Sequence, residues 1–180
     1  MGADHSSVLS PLFYISMIKY IPNVFSKAEH SLIKDYATKL YSQRDVLGWD
    51  EKFNRHFVHN PKPLQKFHLL LEEFMSEHYG RKLKKSYCYL AMYGPNGVCK
   101  RHVDRIQCQY SFDYCLTFDK PWPLFVEENG SAERFDLEEN SALVYRGTEQ
   151  FHWREDRKEG HFCHMIFFHF VPIEFEGQLI

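Results

Sequence analysis

The sequence has no apolar run close to the length of a membrane span, no apolar signal segment at its start and no internal repeat. Its five cysteines are odd in number, and none of them forms the Cys-x-x-Cys pair found in redox and zinc sites. These absences predict a reducing, cytoplasmic environment and no membrane partner.

The sequence also has little excess charge of either sign. It carries 22 Lys and Arg residues against 24 Asp and Glu residues, for a formal net charge of −2. A protein that binds nucleic acid through bulk electrostatics needs a surplus of basic residues. The charge balance therefore argues against a nucleic-acid partner.

Aromatic residues are abundant instead, at 17% of the 180 residues, with 16 Phe and 11 Tyr. Such a content favours strands, and the length suits a single domain with a sizeable core. We predict an α+β, mainly β fold in one domain over residues 1–180. Its first part, about 1–83, should be a helical support region, and about 84–171 should form the β core.

Two helices are expected in the first part of the chain. Ser26 and Glu29 have the spacing of a capping box ahead of an apolar pattern, which predicts a helix over 27–42. A second helix should start near Pro63 and end at Gly80, because proline is tolerated in a first turn and glycine commonly ends helices.

Residues outside these helices are predicted to form a strand over 13–20 and a long irregular loop over 43–60 that could line a site. His68 and His78, on the second helix, are expected to be exposed.

Short aromatic segments separated by turn residues fill the second part of the chain. Two helices ahead of several such strands favour a β-sandwich or a small barrel with the helices packed outside one sheet. The predicted strands are 87–93, 98–103, 108–118, 122–127, 133–137, 141–146, 150–154 and 161–171.

The segment HVDR, residues 102–105, places an imidazole and a carboxylate two positions apart, on the same face of an extended chain. His152 follows a further apolar strand, SALVY. Two histidines and one carboxylate on one face of an ion form the non-haem iron(II) site, which leaves three positions for cosubstrate and oxygen. We therefore predict a metal bound by His102, Asp104 and His152.

Two other interpretations of these residues stay open. His102 and Asp104 could simply hydrogen-bond each other at a strand end. The same ligands could also hold a hydrolytic zinc ion, which would need Glu149 or Glu155 as its general base.

Three segments carry a family resemblance. YLAMYGPNGVCKRHVDR, SALVYRGTEQFHW and HFCHMIFFHFV resemble the His-x-Asp strands, the distal-histidine segment and the closing strand of iron(II)- and 2-oxoglutarate-dependent oxygenases related to prolyl hydroxylases. The resemblance implies a double-stranded β-helix of the jelly-roll or cupin-like type. It implies Fe(II) at His102, Asp104 and His152, with 2-oxoglutarate as cosubstrate and O₂ as oxidant. Hydroxylation of a small molecule, an amino acid or a peptide side chain would follow.

The sequence departs from this family at the closing strand. There the family commonly holds the distal carboxylate of 2-oxoglutarate with Arg or Lys, about ten residues after the second histidine, because a guanidinium suits bidentate recognition. Here His161, Phe162 and His164 occupy that place. The candidate replacements are Arg146, Arg154, His164 and the tyrosines that alternate along one strand, Tyr87, Tyr89 and Tyr93, of which Tyr93 is the best placed by the resemblance.

Other polar residues of the β half are assigned smaller roles. Arg105, Gln107 and Gln109 suggest a polar wall that orients a substrate, Cys108 is interpreted as a small strand residue, and His169 as structural or exposed.

Two further functions remain in competition with the oxygenase. One is a β-barrel metalloenzyme that uses the same three ligands without 2-oxoglutarate, and the other is a non-catalytic binding module.

Overall fold

The computed structural model describes residues 17–156 and 161–179, which form two helices and ten strands. The strands pair antiparallel in a seven-stranded major sheet, ordered β1-β8-β5-β10-β4-β3-β2, and a three-stranded minor sheet, ordered β7-β6-β9. The strands are β1 (Lys19–Ile21), β2 (Gly48–Asp50), β3 (Arg55–His59), β4 (Leu83–Tyr93), β5 (Tyr110–Phe118), β6 (Leu124–Glu128), β7 (Ser131–Phe135), β8 (Ser141–Tyr145), β9 (His152–Trp153) and β10 (Cys163–Pro172).

Both predicted helices are confirmed. Helix α1 (Lys27–Tyr41) begins at the expected capping box, where the Ser26 hydroxyl accepts from the Glu29 amide and the Glu29 carboxylate accepts from the Ser26 amide. Helix α2 (Gln65–Tyr79) ends at Gly80, whose φ of 61° is the left-handed conformation that glycine adopts without steric cost. Within the described ranges, neither helix combines the length and the apolar content needed to cross a membrane.

The helices cover one face of the major sheet, and the minor sheet faces the other. Alternating residues of β4 divide between these layers: Leu90 and Met92 join a core with α1 and α2, whereas Ala91 and Tyr93 join a second core on the side of the minor sheet. This arrangement is the predicted α+β, mainly β class, a double-stranded β-helix with two helices outside one sheet.

The predicted strands of the β half are found within a few residues of their expected bounds, with one exception. Over 98–103 the structure has no strand, and only His102 forms an isolated bridge, to His152. Of the strand predicted over 13–20, residues 13–16 lie outside the described residues, and β1 begins at Lys19.

The prediction of an irregular loop over 43–60 was wrong. Strands β2 and β3 form a hairpin there, and β3 pairs with β4 to extend the major sheet. These strands are three and five residues long and rich in polar side chains, so their alternation is too brief to stand out in the sequence.

The prediction that His68 is exposed was also wrong. Its ring is completely buried between α2 and β10, where it packs on Phe168 and Phe170 and its Nε2 lies 3.0 Å from the His169 carbonyl oxygen. The hydrogen bond to this carbonyl oxygen replaces one of the hydrogen bonds that the imidazole would form with water in the unfolded chain. His78, by contrast, is half-buried.

Candidate metal centre and its cavity

A cavity of about 660 Å³ opens between the two sheets. Its walls come from β2, β3, β4, β5, β8 and β10 of the major sheet, from residues 51–53 and 99–108, and from β6 and β9 with the residues that follow. The volume lies within the range of pockets that bind small organic ligands. His102, Asp104 and His152 all line it.

The backbone brings His102 and His152 together from distant parts of the chain. Each donates its amide to the other's carbonyl oxygen, at 3.1 and 2.9 Å, and the ring centroids are 4.3 Å apart. The Asp104 amide donates to the Gly147 carbonyl oxygen at 2.8 Å. Three backbone hydrogen bonds thus tie the His-x-Asp segment to the segment around the second histidine.

The three side chains converge on one point. Nε2 of His102 lies 3.8 Å from Asp104 Oδ1, and Nε2 of His152 lies 3.7 Å from the same oxygen. One ligand atom from each residue falls within 4.8 Å of the others. The two distances exceed hydrogen-bond range, so the alternative in which His102 simply hydrogen-bonds Asp104 does not describe this geometry.

The outer nitrogen of each imidazole is fixed by the backbone. Nδ1 of His102 lies 2.7 Å from the Lys100 carbonyl oxygen, and Nδ1 of His152 lies 3.0 Å from the Gln150 carbonyl oxygen. A carbonyl only accepts, so each Nδ1 carries the proton and each Nε2 keeps its lone pair. Metal-binding histidines are commonly held this way, and the donor set fits an iron(II) ion.

Burial shapes the charges of these groups. It lowers the pKa of His152 to about 4 and, together with the neighbouring His152, also lowers the pKa of His102. Burial raises the pKa of Asp104 to about 6, against the favourable effects of His102 and of the Ser111 hydroxyl. The imidazoles are therefore neutral at pH 7, the form that binds metals.

Asp104 belongs to a second group of potential ligands. Atoms of Cys108 and His169 lie within 4.8 Å of its carboxylate and of each other. Cys108 Sγ is 3.0 Å from the Tyr87 hydroxyl, and His169 Nδ1 is 3.1 Å from the Ser111 hydroxyl. His169 lines the cavity and is buried, so of its two predicted states, structural or exposed, the structure excludes the exposed one.

Arg154 brings a buried positive charge to the cavity. Its guanidinium donates to the Trp122 carbonyl oxygen, stacks on the Trp122 ring and contacts Met165 Sδ on β10 at 3.6 Å. Within residues 17–156 and 161–179 it forms no ion pair with a carboxylate. A buried charge without a counter-ion is costly, so this site favours an anionic ligand.

Tyr93 lies close to a second buried cation that was not identified from the sequence. Arg55 Nη1 donates to the Tyr93 hydroxyl at 2.6 Å, and its Nη2 pairs with Asp50 at 3.0 Å. Burial raises the pKa of Tyr93, so the phenol stays neutral. Asp50 already neutralises Arg55, whereas Arg154 is buried and has no carboxylate partner among the described residues.

Arg146 and His164, the other two candidates for the cosubstrate, do not line the cavity. Arg146 follows Tyr145, which points into the cavity, and its Nη1 pairs with Glu149 at 2.7 Å on the outside. His164 alternates with Cys163, which belongs to the core on the side of the minor sheet, and it packs on Tyr41, on the helical side. Neighbouring residues of an extended chain face opposite ways, so these two side chains lie outside the cavity that holds Tyr93 and Arg154.

Four cavity residues, on strands β3 and β5, carried weak signals that the sequence interpretation missed. Every second residue of the five-residue strand β3, namely Arg55, Phe57 and His59, lines the cavity. Three such positions are too few for the alternation to be recognised in the sequence. Asp113 is the one charged residue of strand β5, whose other members are aromatic, apolar or small and neutral. A charged residue in a buried strand is uncommon and marks a candidate functional position.

Solved structures share this architecture. No protein-family model matches the sequence, and neither does any curated protein compared with it. A prolyl-4-hydroxylase from Pseudomonas putida is 11% identical, covers 84% of this chain and 91% of its own, and has a TM-score of 0.64. HygX from Streptomyces hygroscopicus, solved with nickel and 2-oxoglutarate bound, is 12% identical, with coverages of 89% and 84% and a TM-score of 0.66.

A third similar structure is the viral collagen prolyl hydroxylase vCPH from Paramecium Bursaria Chlorella virus-1, in complex with 2-oxoglutarate. It is 10% identical, covers 88% of this chain and 97% of its own, and has a TM-score of 0.64. At these identities the similarity concerns the fold. The chain has the fold of the iron(II)- and 2-oxoglutarate-dependent oxygenases, as the resemblance predicted.

Proposed function

We propose that the protein is a non-haem iron(II)- and 2-oxoglutarate-dependent dioxygenase. One observation carries the proposal: two imidazole Nε2 atoms and one carboxylate oxygen converge in a cavity that also holds the unpaired guanidinium of Arg154. The first group suits iron(II) and the second suits a dicarboxylate.

His102, Asp104 and His152 would hold the iron, with the Lys100 and Gln150 carbonyls keeping both rings in the metal-binding tautomer. When bound, iron(II) and 2-oxoglutarate supply the oxidising chemistry that hydroxylates a substrate with O₂ and releases succinate and CO₂. The chain's own contribution is to position these groups and to exclude water from the cavity.

Arg154 would bind the distal carboxylate of 2-oxoglutarate. It follows the second histidine by two residues, yet its contact with Met165 brings the guanidinium to the beginning of β10. That is the part of the closing strand where related enzymes carry their basic residue. The neutral Tyr93 hydroxyl accepts from Arg55 and can donate its own proton to the same carboxylate. The missing Arg or Lys of β10 would thus be replaced from the neighbouring segment.

The competing hydrolytic site has less support. Neither Glu149 nor Glu155, the proposed general bases for zinc, lines the cavity, and Glu149 is paired with Arg146. Substrates of the proposed enzyme are small molecules, amino acids or peptide side chains that fit beside the metal.

The proposal predicts iron-dependent conversion of 2-oxoglutarate to succinate, even without the prime substrate. His102→Ala should abolish it, because two ligands hold the ion poorly. Arg154→Gln should raise KM for 2-oxoglutarate by about tenfold to a hundredfold, the effect of losing a charge-assisted hydrogen bond. Succinate formation under varied 2-oxoglutarate measures both effects.

Two control variants come from the chain itself. Arg146→Gln removes a guanidinium that faces away from the cavity, and His161→Ala removes a histidine paired with Asp119 at the surface. Both should retain wild-type KM. Stoichiometric metal binding through His102 without any 2-oxoglutarate turnover would instead favour a metalloenzyme of another type. A protein that binds no metal would leave the non-catalytic binding module.

A further inference from the structure

One wall of the cavity is built from rings on two paired strands. Phe57 and His59 of β3 and Tyr87 and Tyr89 of β4 form this aromatic wall. Phe57 stacks on Tyr89 with centroids 4.9 Å apart and planes 16° from parallel, and His59 packs on Tyr87 at 4.9 Å. The cavity is larger than a five-carbon diacid requires, so the wall leaves room for a second, flat or apolar ligand.

Arg105 lies at one end of the aromatic wall, directly after the predicted metal ligand Asp104. Its Nε and Nη2 donate to the Tyr87 hydroxyl at 3.1 and 2.9 Å, and its guanidinium lies 5.0 Å from the centre of the Tyr87 ring. The Tyr87 hydroxyl is itself 3.0 Å from Cys108 Sγ. These contacts hold the guanidinium in place before any ligand arrives, which lowers the entropic cost of binding.

Arg105 is exposed to solvent at the cavity, and no carboxylate in the described part of the chain lies at ion-pair distance from it, so its guanidinium is accessible to an anion. The other cations of the cavity have different surroundings. Arg55 is paired with Asp50, the exposed Lys52 lies 5.1 Å from the centre of the Phe53 ring, and Arg154 lies beside Trp122 and Met165. Arg105 is therefore an anion site separate from the one assigned to 2-oxoglutarate.

We propose that the prime substrate is a ring-bearing carboxylic acid whose carboxylate binds Arg105 and whose ring lies against the aromatic wall. This inference rests on the proposed function and names the substrate class of that site. A guanidinium forms two parallel hydrogen bonds with a carboxylate, and the wall provides stacking surface for the attached ring. A substrate held in this way has its carbon atoms beside Asp104, next to the metal.

The test uses 2-naphthoate and its uncharged counterpart 2-naphthamide as probes. Calorimetric titration of the full chain should give a naphthoate affinity at least about tenfold above that of naphthamide, since only the acid forms charge-assisted hydrogen bonds. The preference should persist when Mn(II) and saturating 2-oxoglutarate are present. It should disappear in Arg105→Gln and weaken in Tyr87→Phe, which keeps the ring and removes the hydroxyl that holds the guanidinium.

Arg101→Gln is the matched control. Arg101 is a neighbouring arginine that pairs with Glu127 and stacks on Phe151 outside the cavity, so its loss should leave the preference intact. Equal binding of acid and amide would overturn the inference. So would competition between naphthoate and 2-oxoglutarate, because the acid would then occupy the Arg154 site.

The titration of the metal-free chain separates this inference from the proposed function. A chain that fails to convert 2-oxoglutarate but still prefers naphthoate through Arg105 would refute the dioxygenase and retain the anion site. A chain that converts 2-oxoglutarate and shows no preference would refute the substrate class alone.

Discussion

Asp113 is a carboxyl group in the middle of β5 that the fold keeps away from water. It is 5% exposed, Tyr145 donates to its Oδ2 at 2.9 Å, and its Oδ1 has no hydrogen-bond partner among the described residues. Burial, reinforced by the charge of Asp104, raises its pKa to about 7. In the unfolded chain the same group ionises near pH 4, so the native state loses stability as the pH rises from about 4 to about 7.

Asp113→Asn should therefore stabilise the protein in alkaline buffer. The amide keeps an acceptor for Tyr145 and carries no charge. We expect the free energy of unfolding at pH 8 to rise by about 1–3 kcal/mol, with the gain shrinking toward pH 4. Urea unfolding across this pH range measures it. The exposed Asp136→Asn is the control, and an unchanged or lower stability of Asp113→Asn at pH 8 would contradict the assignment.

Gly147 is a position where the metal centre leaves no room for a side chain. A Cβ there would lie 2.4 Å from the Cys108 carbonyl oxygen and 2.5 Å from Asp104 Oδ2. Gly147→Ala should thus displace the Asp104 carboxylate and weaken Mn(II) binding by about tenfold or more, as losses of supporting groups around metal ligands do. Calorimetric metal titration provides the measurement.

Gly94→Ala serves as the comparison for this change. The Cβ at Gly94 would approach only the Tyr41 hydroxyl, at 3.2 Å, and that flexible side chain can move aside. Metal affinity should stay at the wild-type value. Equal affinities in both variants would show that Asp104 tolerates displacement or does not bind the ion.

At the scale of elements, the contact between α2 and β10 contains a histidine that the fold keeps neutral. Burial lowers the pKa of His68 to about 4, and its Nδ1 has no partner within the described residues. A histidine in the unfolded chain titrates near pH 6.5. The stability that His68 contributes is therefore complete above pH 6.5 and is lost as the pH falls toward 4.

His68→Gln should reduce this loss of folding stability at acidic pH. Glutamine can still donate to the His169 carbonyl oxygen and does not titrate. Between pH 6.5 and pH 4 the variant should lose roughly 2–3 kcal/mol less than the wild type. Denaturant unfolding at both pH values tests this, with the surface change His161→Gln as control. Parallel pH profiles for the wild type and His68→Gln would refute the prediction.

The elements also show why sequence patterns succeeded in some places and failed in others. Helices α1 and α2 could be predicted because the residues that cap a helix start and end a helix act through contacts with their near neighbours in the chain. The β2–β3 hairpin could not, since three- and five-residue strands acquire their structure by pairing with β4, a contact between residues far apart in the chain.

For the molecule as a whole, the short aromatic strands predicted a β-sandwich or a small barrel, and the resemblance of three segments to the oxygenase family implied the double-stranded β-helix. The cavity residues Arg55 and Asp113 carried only weak signals in the sequence, because their place in the cavity depends on how β3 and β5 are arranged across the sheet. Likewise, the sequence did not distinguish Arg154 from Arg146 as the cavity cation. The two arginines differ in where their side chains point, since Arg154 points into the cavity and Arg146 points away from it.

The position of β10 has a consequence for the order of events during synthesis. This strand is the last of the described strands to be made, yet it lies in the middle of the major sheet, hydrogen-bonded to both β4 and β5. Until residues 163–172 have left the ribosome, β4 and β5 each keep an unpaired edge, a template for misassociation. The nascent chain therefore exposes the unpaired edges of β4 and β5 until β10 is made, and these edges are the surfaces that a chaperone would have to cover.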